Sequence, residues 1–391
     1  MIISDGHKSH DRGVFLGRGG LEFLDGFEDI RAPNGISKHP KTCYNKDERD
    51  KYPAIHVPKP TMKHDLTKPE ARARLAELRK VIAHQRYLVH VRDTQGMSEA
   101  ALDSLKHELT HLETIYPDLI TPDSPSQRVA GKPLPQFKKV QHTERMFSLN
   151  DVFSETELRE WDARWRKIAP HETTSYLVDL KLDGLAIDLR YHHGAFTQAA
   201  TRGDGFTGED VTHTVKTIES IPLALRLDDL PVAVRRRVES GDVHIRGEAV
   251  MLKKDFAALN ARQEKNGKPL FANPRNVSAG SIRQLDPKVT ADRVLTFYAW
   301  ELVTDLGQET LAEAYDFLRS MGILTNPRAE VCSSIDAVAK VHQDIEIKRD
   351  KLPFWIDGMV VKINSVALYR RLGFVGKTPR AAAAWKFSAE Q

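Results

Sequence analysis

Cysteine is nearly absent: Cys43 and Cys332 are the only two in 391 residues. That excludes a disulfide framework, and it excludes a four-cysteine zinc site built from this chain alone. No apolar run reaches the roughly 18 residues that a membrane-spanning helix needs. Met1 to Asp11 carries no apolar core of the secretory kind, so a reducing cytoplasm is the expected compartment. Neither charge sign is in large excess, with 58 basic against 54 acidic residues and a net charge of +4. Such a balance permits a nucleic-acid partner without demanding one. No Walker motif occurs, which argues against a P-loop, and the GxGxxG spacing at Gly203–Gly208 sits in no strict βαβ frame, which argues against a dinucleotide-type doubly wound fold. What is present is a globular composition, 40% hydrophobic and 29% charged, long enough for two or three domains.

Residues 1–66 read as an irregular extension, rich in Gly, Asp, His, Lys and Pro. His7, His10 and Cys43 within it match no zinc-ligand spacing. Thr67 and Glu70 form a capping-box pattern with Pro69 in the first turn, so a helix opens there. Leu75, Leu78, Ile82 and Leu88 give it one apolar face. Ser98 caps a second helix striped by Leu102, Leu105, Leu109 and Leu112, and Tyr116-Pro117 stops it. The spacing predicts a helical hairpin over 67–118, too small to bury much alone and so expected against a neighbour or ligand. A connector rich in Pro, Ser and Thr covers 119–144. From 145 to 391 short β-branched and aromatic runs alternate with helical ones. Strands are predicted at 177–182, 185–191, 195–201, 243–250, 294–302, 356–363 and 382–387, and helices at 210–218, 252–265, 309–321 and 335–348. The order lacks a strict βαβ rhythm, so an α+β domain with antiparallel sheets is expected.

Polar residues recur inside apolar runs. Asp179, Lys181 and Asp183 share one strand face by two-residue alternation. A lysine between carboxylates belongs in a cleft or at a solvent edge, and the apolar neighbours favour the cleft. Flanking carboxylates favour the ammonium form, so an amine nucleophile here needs relief from nearby cations. Thr201-Arg202-Gly203-Asp204-Gly205 is a tight glycine loop of the kind that receives phosphate, or a simple turn. His244, Arg246 and Glu248 share a second strand face. Asp357 and Lys362 lie on a third strand, and Lys386 sits in the apolar run Ala384–Phe387. A buried lysine requires a partner, and a nucleotide phosphate is a natural one. The small polar stretch Asn273–Ser281 suits a loop facing phosphates, and Arg275, Arg283 and Arg349 are candidate nucleic-acid contacts. Trp300, on a strand, is either core or a platform for a base.

In order, Lys181-Leu-Asp-Gly184, Thr201–Gly205, Arg246-Gly-Glu248, Asn273–Asn276, Ile356-Asp-Gly358 with Lys362, and Lys386-Phe387 resemble the adenylation domain of bacterial NAD-dependent DNA ligase. Leu119–Pro125 and Ser281–Pro287 strengthen the likeness, which covers roughly residues 67–391. The resemblance implies nucleotidyl transfer from NAD, with Mg2+, onto Lys181, and AMP then passed to the 5′-phosphate of nicked double-stranded DNA. It implies a monomer, no membrane, and work in DNA repair and replication. It also implies roles for single residues. Asp183 would help activation, and Lys362 and Lys386 would neutralise the α-phosphate. Arg202 would grip ribose or phosphate, Glu248 the ribose hydroxyls, and Asp357 the phosphate and metal. Ser148 and Leu149 would line the pocket, with Asp179 at the adenine edge and Trp300 stacked where the family has tyrosine.

Departures stand beside the likeness. Asp179 replaces the family's glutamate, one methylene longer. The hairpin's nicotinamide-mononucleotide clamp, a Tyr-His pair, an Asp and a Tyr-Asp pair in the family, reads Val89-His90, Glu99 and Leu102-Asp103 here. Losing both tyrosines removes ring stacking and two hydroxyls. The oligonucleotide-binding, zinc, helix-hairpin-helix and BRCT domains that follow in the family are not in this sequence, so self-adenylation is expected more readily than nick sealing by this chain alone. Other readings compatible with the residues are a ligase-like module that holds nucleotide or DNA without turnover, and a relative that uses ATP or seals RNA.

Overall fold

Two helices come first in the computed structural model, which describes residues 66–92, 94, 97–128 and 136–387. The extension read over 1–66 lies outside the described residues except for Leu66, as do connector residues 129–135. Lys68–His90 and Glu99–Ile115 form the hairpin. The Glu70 carboxylate accepts from the Thr67 backbone N–H at 2.8 Å, and Ser98 Oγ accepts from Ala101 N–H. Leu75, Leu78 and Ile82 are fully buried against Leu105 and Leu109. Two ion pairs tie the helices, Arg74 to Glu108 and Arg79 to Glu113, each at 2.7 Å. The hairpin leans on the larger domain, as its small core requires. Arg86 pairs with Glu219, and the Arg226 guanidinium lies 4.1 Å from the Tyr87 ring centroid. Arg128, buried, donates to the carbonyls of Lys216, Ile218 and Ile221.

The larger domain holds two main sheets. Their strands in chain order are β1 (Asp151–Val152), β2 (Tyr176–Leu182), β3 (Leu185–His192), β4 (Ala195–Thr201), β5 (Asp242–Val250), β6 (Thr296–Leu302), β7 (Glu330–Cys332), β8 (Ile356–Ile363) and β9 (Ala382–Lys386). One sheet runs β1-β9-β8-β2-β7 and the other β4-β3-β5-β6. All neighbours are antiparallel except β1 and β9. The expected α+β class is therefore the observed one.

Period-two alternation gives each sheet one apolar face. Tyr176, Val178 and Leu180 of β2, Met359, Val361 and Ile363 of β8, and Ala383 and Trp385 of β9 join one core. The helices Glu155–Ile168 and Ile335–Lys348 cover it through Trp161, Trp165, Val338 and Ile345. Ile187, Leu189, Ile245, Phe297 and Ala299 of the second sheet join another core, under the helix Leu311–Ser320. The alternate positions, Asp179, Lys181, Gly358, Lys362 and Lys386 on one sheet and Arg246, Glu248 and Trp300 on the other, are left out of both cores.

Two local expectations need correction. Asn273–Ser281 is not a loop. Asn273 Oδ1 accepts from Arg275 and Asn276 N–H and caps a helix over Pro274–Ile282. Its small residues, Ser278, Ala279, Gly280 and Ser281, hid the helical period. The helix read over 210–218 shrinks to Thr212–Val215, where Thr214 and Thr217 hydroxyls bond nearby carbonyls instead.

Candidate active site

Lys181, Gly358 and Lys386 stand abreast, because β8 pairs Gly358 with Lys181 on one side and with Lys386 on the other. Only glycine fits between them: a Cβ on Gly358 would lie 2.3 Å from the Trp385 carbonyl oxygen. Asp357, one residue earlier, sits between the two amines. Its Oδ2 accepts from Lys181 Nζ at 3.1 Å and from Lys386 Nζ at 2.6 Å. Asp151 adds a second carboxylate, 3.7 Å from Lys386 Nζ. Burial lowers the pKa of Lys386, but the hydrogen bond and charge of Asp357 outweigh it and the net shift is upward. Asp357 Oδ1 is buried and has no hydrogen-bond partner.

Asp183 follows β2 and faces Arg275, whose Nε is 3.6 Å from its carboxylate. Burial raises the Asp183 pKa, and Arg275 opposes it. Glu248, across the cleft on β5, is pushed up to about 7 by burial, against the pull of Lys181, Arg275 and Arg202 and a hydrogen bond from Trp300. Arg202 opens the glycine turn after β4, where Gly203 and Gly205 take φ of +56° and +94°.

A second cluster lies further along β2 and β8. Asp179 is buried, and its Oδ2 accepts from the Tyr315 hydroxyl. Lys362 Nζ is 3.7 Å from the same oxygen and donates to the Trp300 carbonyl at 2.8 Å and to the Tyr315 hydroxyl at 3.3 Å. Burial raises the Asp179 pKa, opposed by Lys362 and Tyr315.

The structure thus brings Lys181, Asp183, Glu248, Asp357, Lys386 and Arg275 into one cluster. It places Lys362 with Asp179 and Trp300, while the resemblance gave it, with Lys386, to the α-phosphate. Arg275 joins the lysine cleft, while Arg283 pairs with Glu209 at 2.7 Å and Arg349 lies 5.9 Å from the Phe387 ring. Ser148 and Leu149 precede β1, and Ser148 N–H donates to the Lys377 carbonyl. In the hairpin, His90 borders a cleft with Thr217, Glu219, Ser220 and Thr290. Asp103 pairs with Lys106 at 3.2 Å, and Glu99 begins the second helix. Sequence reading missed Tyr315 and Asp151. Asp151 had a signal in its place beside Ser148-Leu149, but Tyr315 had none. Among the described residues no group of three or more His, Cys, Asp or Glu is placed to hold a metal ion, and no helix is long and apolar enough to cross a membrane.

A lysine amine that shares one carboxylate oxygen with a second lysine, near a carboxyl of raised pKa, is an arrangement that nucleotidyl transfer through lysine can use. Residues 134–390 match the family described as NAD-dependent DNA ligase adenylation domain, and residues 68–130 match DNA ligase-like, N-terminal NAD+-binding domain. Relatives named DNA ligase are 45% identical over 327 residues in Carboxydothermus hydrogenoformans, covering 83% of this chain and 48% of the relative. In Anoxybacillus flavithermus the figures are 44% over 330 residues, 84% and 46%. The chain belongs to the NAD-dependent DNA ligase adenylation-domain family, and it spans about half the length of these relatives.

Proposed function

We propose that this chain carries the self-adenylating half of a DNA ligase reaction, with Lys181 as the nucleophile. The observation that carries this is the single Asp357 oxygen shared by two amines. Lys386, held as the ammonium by Asp357, keeps its proton. Lys181 Nζ, on the same Asp357 oxygen, is the amine in position to attack a phosphorus whose oxygens Lys386 would hold. NAD supplies the AMP group when bound. Lys181 Nζ would form a bond to the α-phosphorus, the bond to the nicotinamide-mononucleotide oxygen would break and that group would leave with the electron pair, and the amine proton would pass to Asp357 Oδ2, which already accepts from it, or to solvent. Lys386 and Arg202 offset the charge that grows on the phosphoryl oxygens.

The adenosine half fits the residues present. Glu248 is a carboxyl suited to ribose hydroxyls, Trp300 offers a ring, and Asp179 and Lys362 face the base edge. Assigning Lys362 to the base edge rather than the phosphate follows from its bonds to Trp300 and Tyr315. Mg2+ would be held mainly by phosphate oxygens, since no acidic or histidine group among the described residues is placed to hold it alone. The nicotinamide half fits less well, since Val89 and Leu102 offer neither ring nor hydroxyl. That departure favours a second reading in which ATP is the adenylate donor. Transfer of AMP to nicked DNA, and sealing, would fall to this chain together with the remaining half of a full-length ligase.

Intact mass after incubation with Mg2+ and NAD, or with Mg2+ and ATP, tests both readings. One added AMP from NAD, absent in Lys181→Ala, is the expected result. Gain from ATP alone would establish the second reading. No gain from either, in folded protein free of AMP at the start, would refute self-adenylation.

A further inference from the structure

The buried cluster around Asp179 holds a residue that the adenylation chemistry leaves without a role. Tyr315 comes from the helix Leu311–Ser320, is 2% exposed, and is 136 residues from Asp179 in the chain. Its hydroxyl bonds Asp179 Oδ2, accepts from Lys362 and lies 3.2 Å from the Trp300 carbonyl. Burial and the Asp179 charge keep the phenol well above its ordinary pKa, so it remains a neutral donor. A tyrosine packed wholly into a core needs a partner for its hydroxyl, but it does not need a carboxylate. Here the carboxylate belongs to the shortened acid at the base edge.

Both neighbours act on the same oxygen. Tyr315 and Lys362 occupy Oδ2, while Oδ1 of Asp179 is buried and makes no hydrogen bond of ordinary geometry. The Leu180 backbone N–H and the Asn326 side chain also favour the charged form. A short acid has few rotamers, and one held at Oδ2 by a core hydroxyl has its other oxygen fixed in direction. The buried Oδ1 is then a ready acceptor for an N–H donor, and an oxygen brought to the same place would be repelled. The exocyclic amine of adenine is such a donor, whereas a 6-oxopurine presents an oxygen there.

We propose that Tyr315 is a positioning residue that orients Asp179 and so makes the site select a 6-aminopurine over a 6-oxopurine. The inference rests on the adenylate-site reading above and deepens it. Tyr315 replaces, by a hydroxyl from another element, the methylene that Asp179 lacks.

The test is calorimetric binding of AMP and of IMP to the whole chain and its variants, with melting temperature as a check on folding. The unmutated chain binds AMP about tenfold or more tighter than IMP, the scale expected where a buried polar group would be left unpaired by the wrong ligand. Tyr315→Phe lowers the AMP-to-IMP ratio by about tenfold, mostly through weaker AMP binding. A purely structural role would weaken both nucleotides equally and leave the ratio alone, and that result overturns the proposal. Asp179→Glu alone crowds the hydroxyl and lowers the ratio, and Asp179→Glu with Tyr315→Phe restores it. Equal ratios with and without the hydroxyl in the Asp179→Glu background also overturn it, and this comparison stands even if Tyr315→Phe alone does not fold. Because the readout is noncovalent, an unmutated chain that never becomes adenylated would sink the self-adenylation reading while leaving the ratio measurable. Failure to bind either mononucleotide would sink the selectivity proposal itself.

Discussion

Glu248→Gln should stabilise the chain above neutral pH and leave it nearly unchanged in mild acid. The carboxyl has an ordinary pKa of 4.5 and is raised to about 7 in the folded chain, mainly by burial. The folded state therefore holds a proton that the unfolded state has released between these values. Its contribution to stability is fully present below pH 4.5 and is lost as pH rises through about 7. A rise of this size corresponds to about 3 kcal/mol, reduced to about 1–3 kcal/mol because the residue is only partly buried by surface area. Glutamine keeps the shape and has no charge to desolvate. Urea unfolding of both proteins at pH 5 and pH 8 should give similar midpoints at pH 5 and a higher midpoint for the variant at pH 8. At pH 8, where the carboxylate is ionised, the same variant should bind AMP about tenfold more weakly, through loss of the proposed charge-assisted contact to the ribose. A midpoint difference that does not change between pH 5 and pH 8 would refute the assignment of a buried, protonated Glu248.

Three further outcomes follow from the geometry. Gly358→Ala places a methyl 2.3 Å from the Trp385 carbonyl oxygen, forcing β8 and β9 apart; unfolding should show a loss of about 2 kcal/mol, with slower adduct formation in the folded fraction. Arg246→Met strands Asp188, both residues being buried with Nε 3.6 Å from the carboxylate; a loss of about 3 kcal/mol is expected, at the low end for a buried pair because Arg190 remains 3.3 Å away, and an unchanged urea midpoint would show that Arg190 suffices. Val89→Tyr with Leu102→Tyr restores the rings of the family's clamp; Val89 is exposed, so a tyrosine has room, and the NAD concentration for half-maximal adduct should fall about tenfold while that for ATP stays put.

Residue order carried the sheets well because alternation is a local property. Ile356–Ile363 and Ile335–Lys348 have the bounds that their periods give. Faces were legible for the same reason: Asp179 and Lys181 do share one. Position along a strand was not. Lys362 lies four residues beyond Gly358, so a shared face with Lys386 does not put its amine on the same group, and the bonds to Trp300 and Tyr315 decide where it ends. Helices built from small polar residues escaped, as over Pro274–Ile282, because no apolar stripe marks them. Glu155–Ile168 escaped too, although Ser154 caps it, since charged residues outnumber the two tryptophans and one leucine it buries. Tyr315 illustrates the deepest limit. In sequence it is one more apolar residue at helical spacing, and only the packing of that helix under the second sheet brings its hydroxyl to Asp179.

The same alternation explains how a charged cleft and two apolar cores coexist in one thin domain. Leu180 and Lys181 are neighbours, yet Leu180 is buried in one core while Lys181 is absent from both. Charge is confined to the cleft face, where each buried group has a partner of opposite sign or a hydroxyl: Asp357 with two lysines, Arg246 with Asp188, Asp179 with Lys362 and Tyr315. The residual imbalance is where chemistry is expected. Asp357 and Asp179 each keep one oxygen without a partner. Those two buried acceptors lie at different places along the strands, one beside Lys181 and one beside Tyr315 and Lys362. On the adenylate reading proposed above, an adenine amine would be a donor for the Asp179 oxygen, whereas the Asp357 oxygen needs a donor or a cation, which a phosphate oxygen is not.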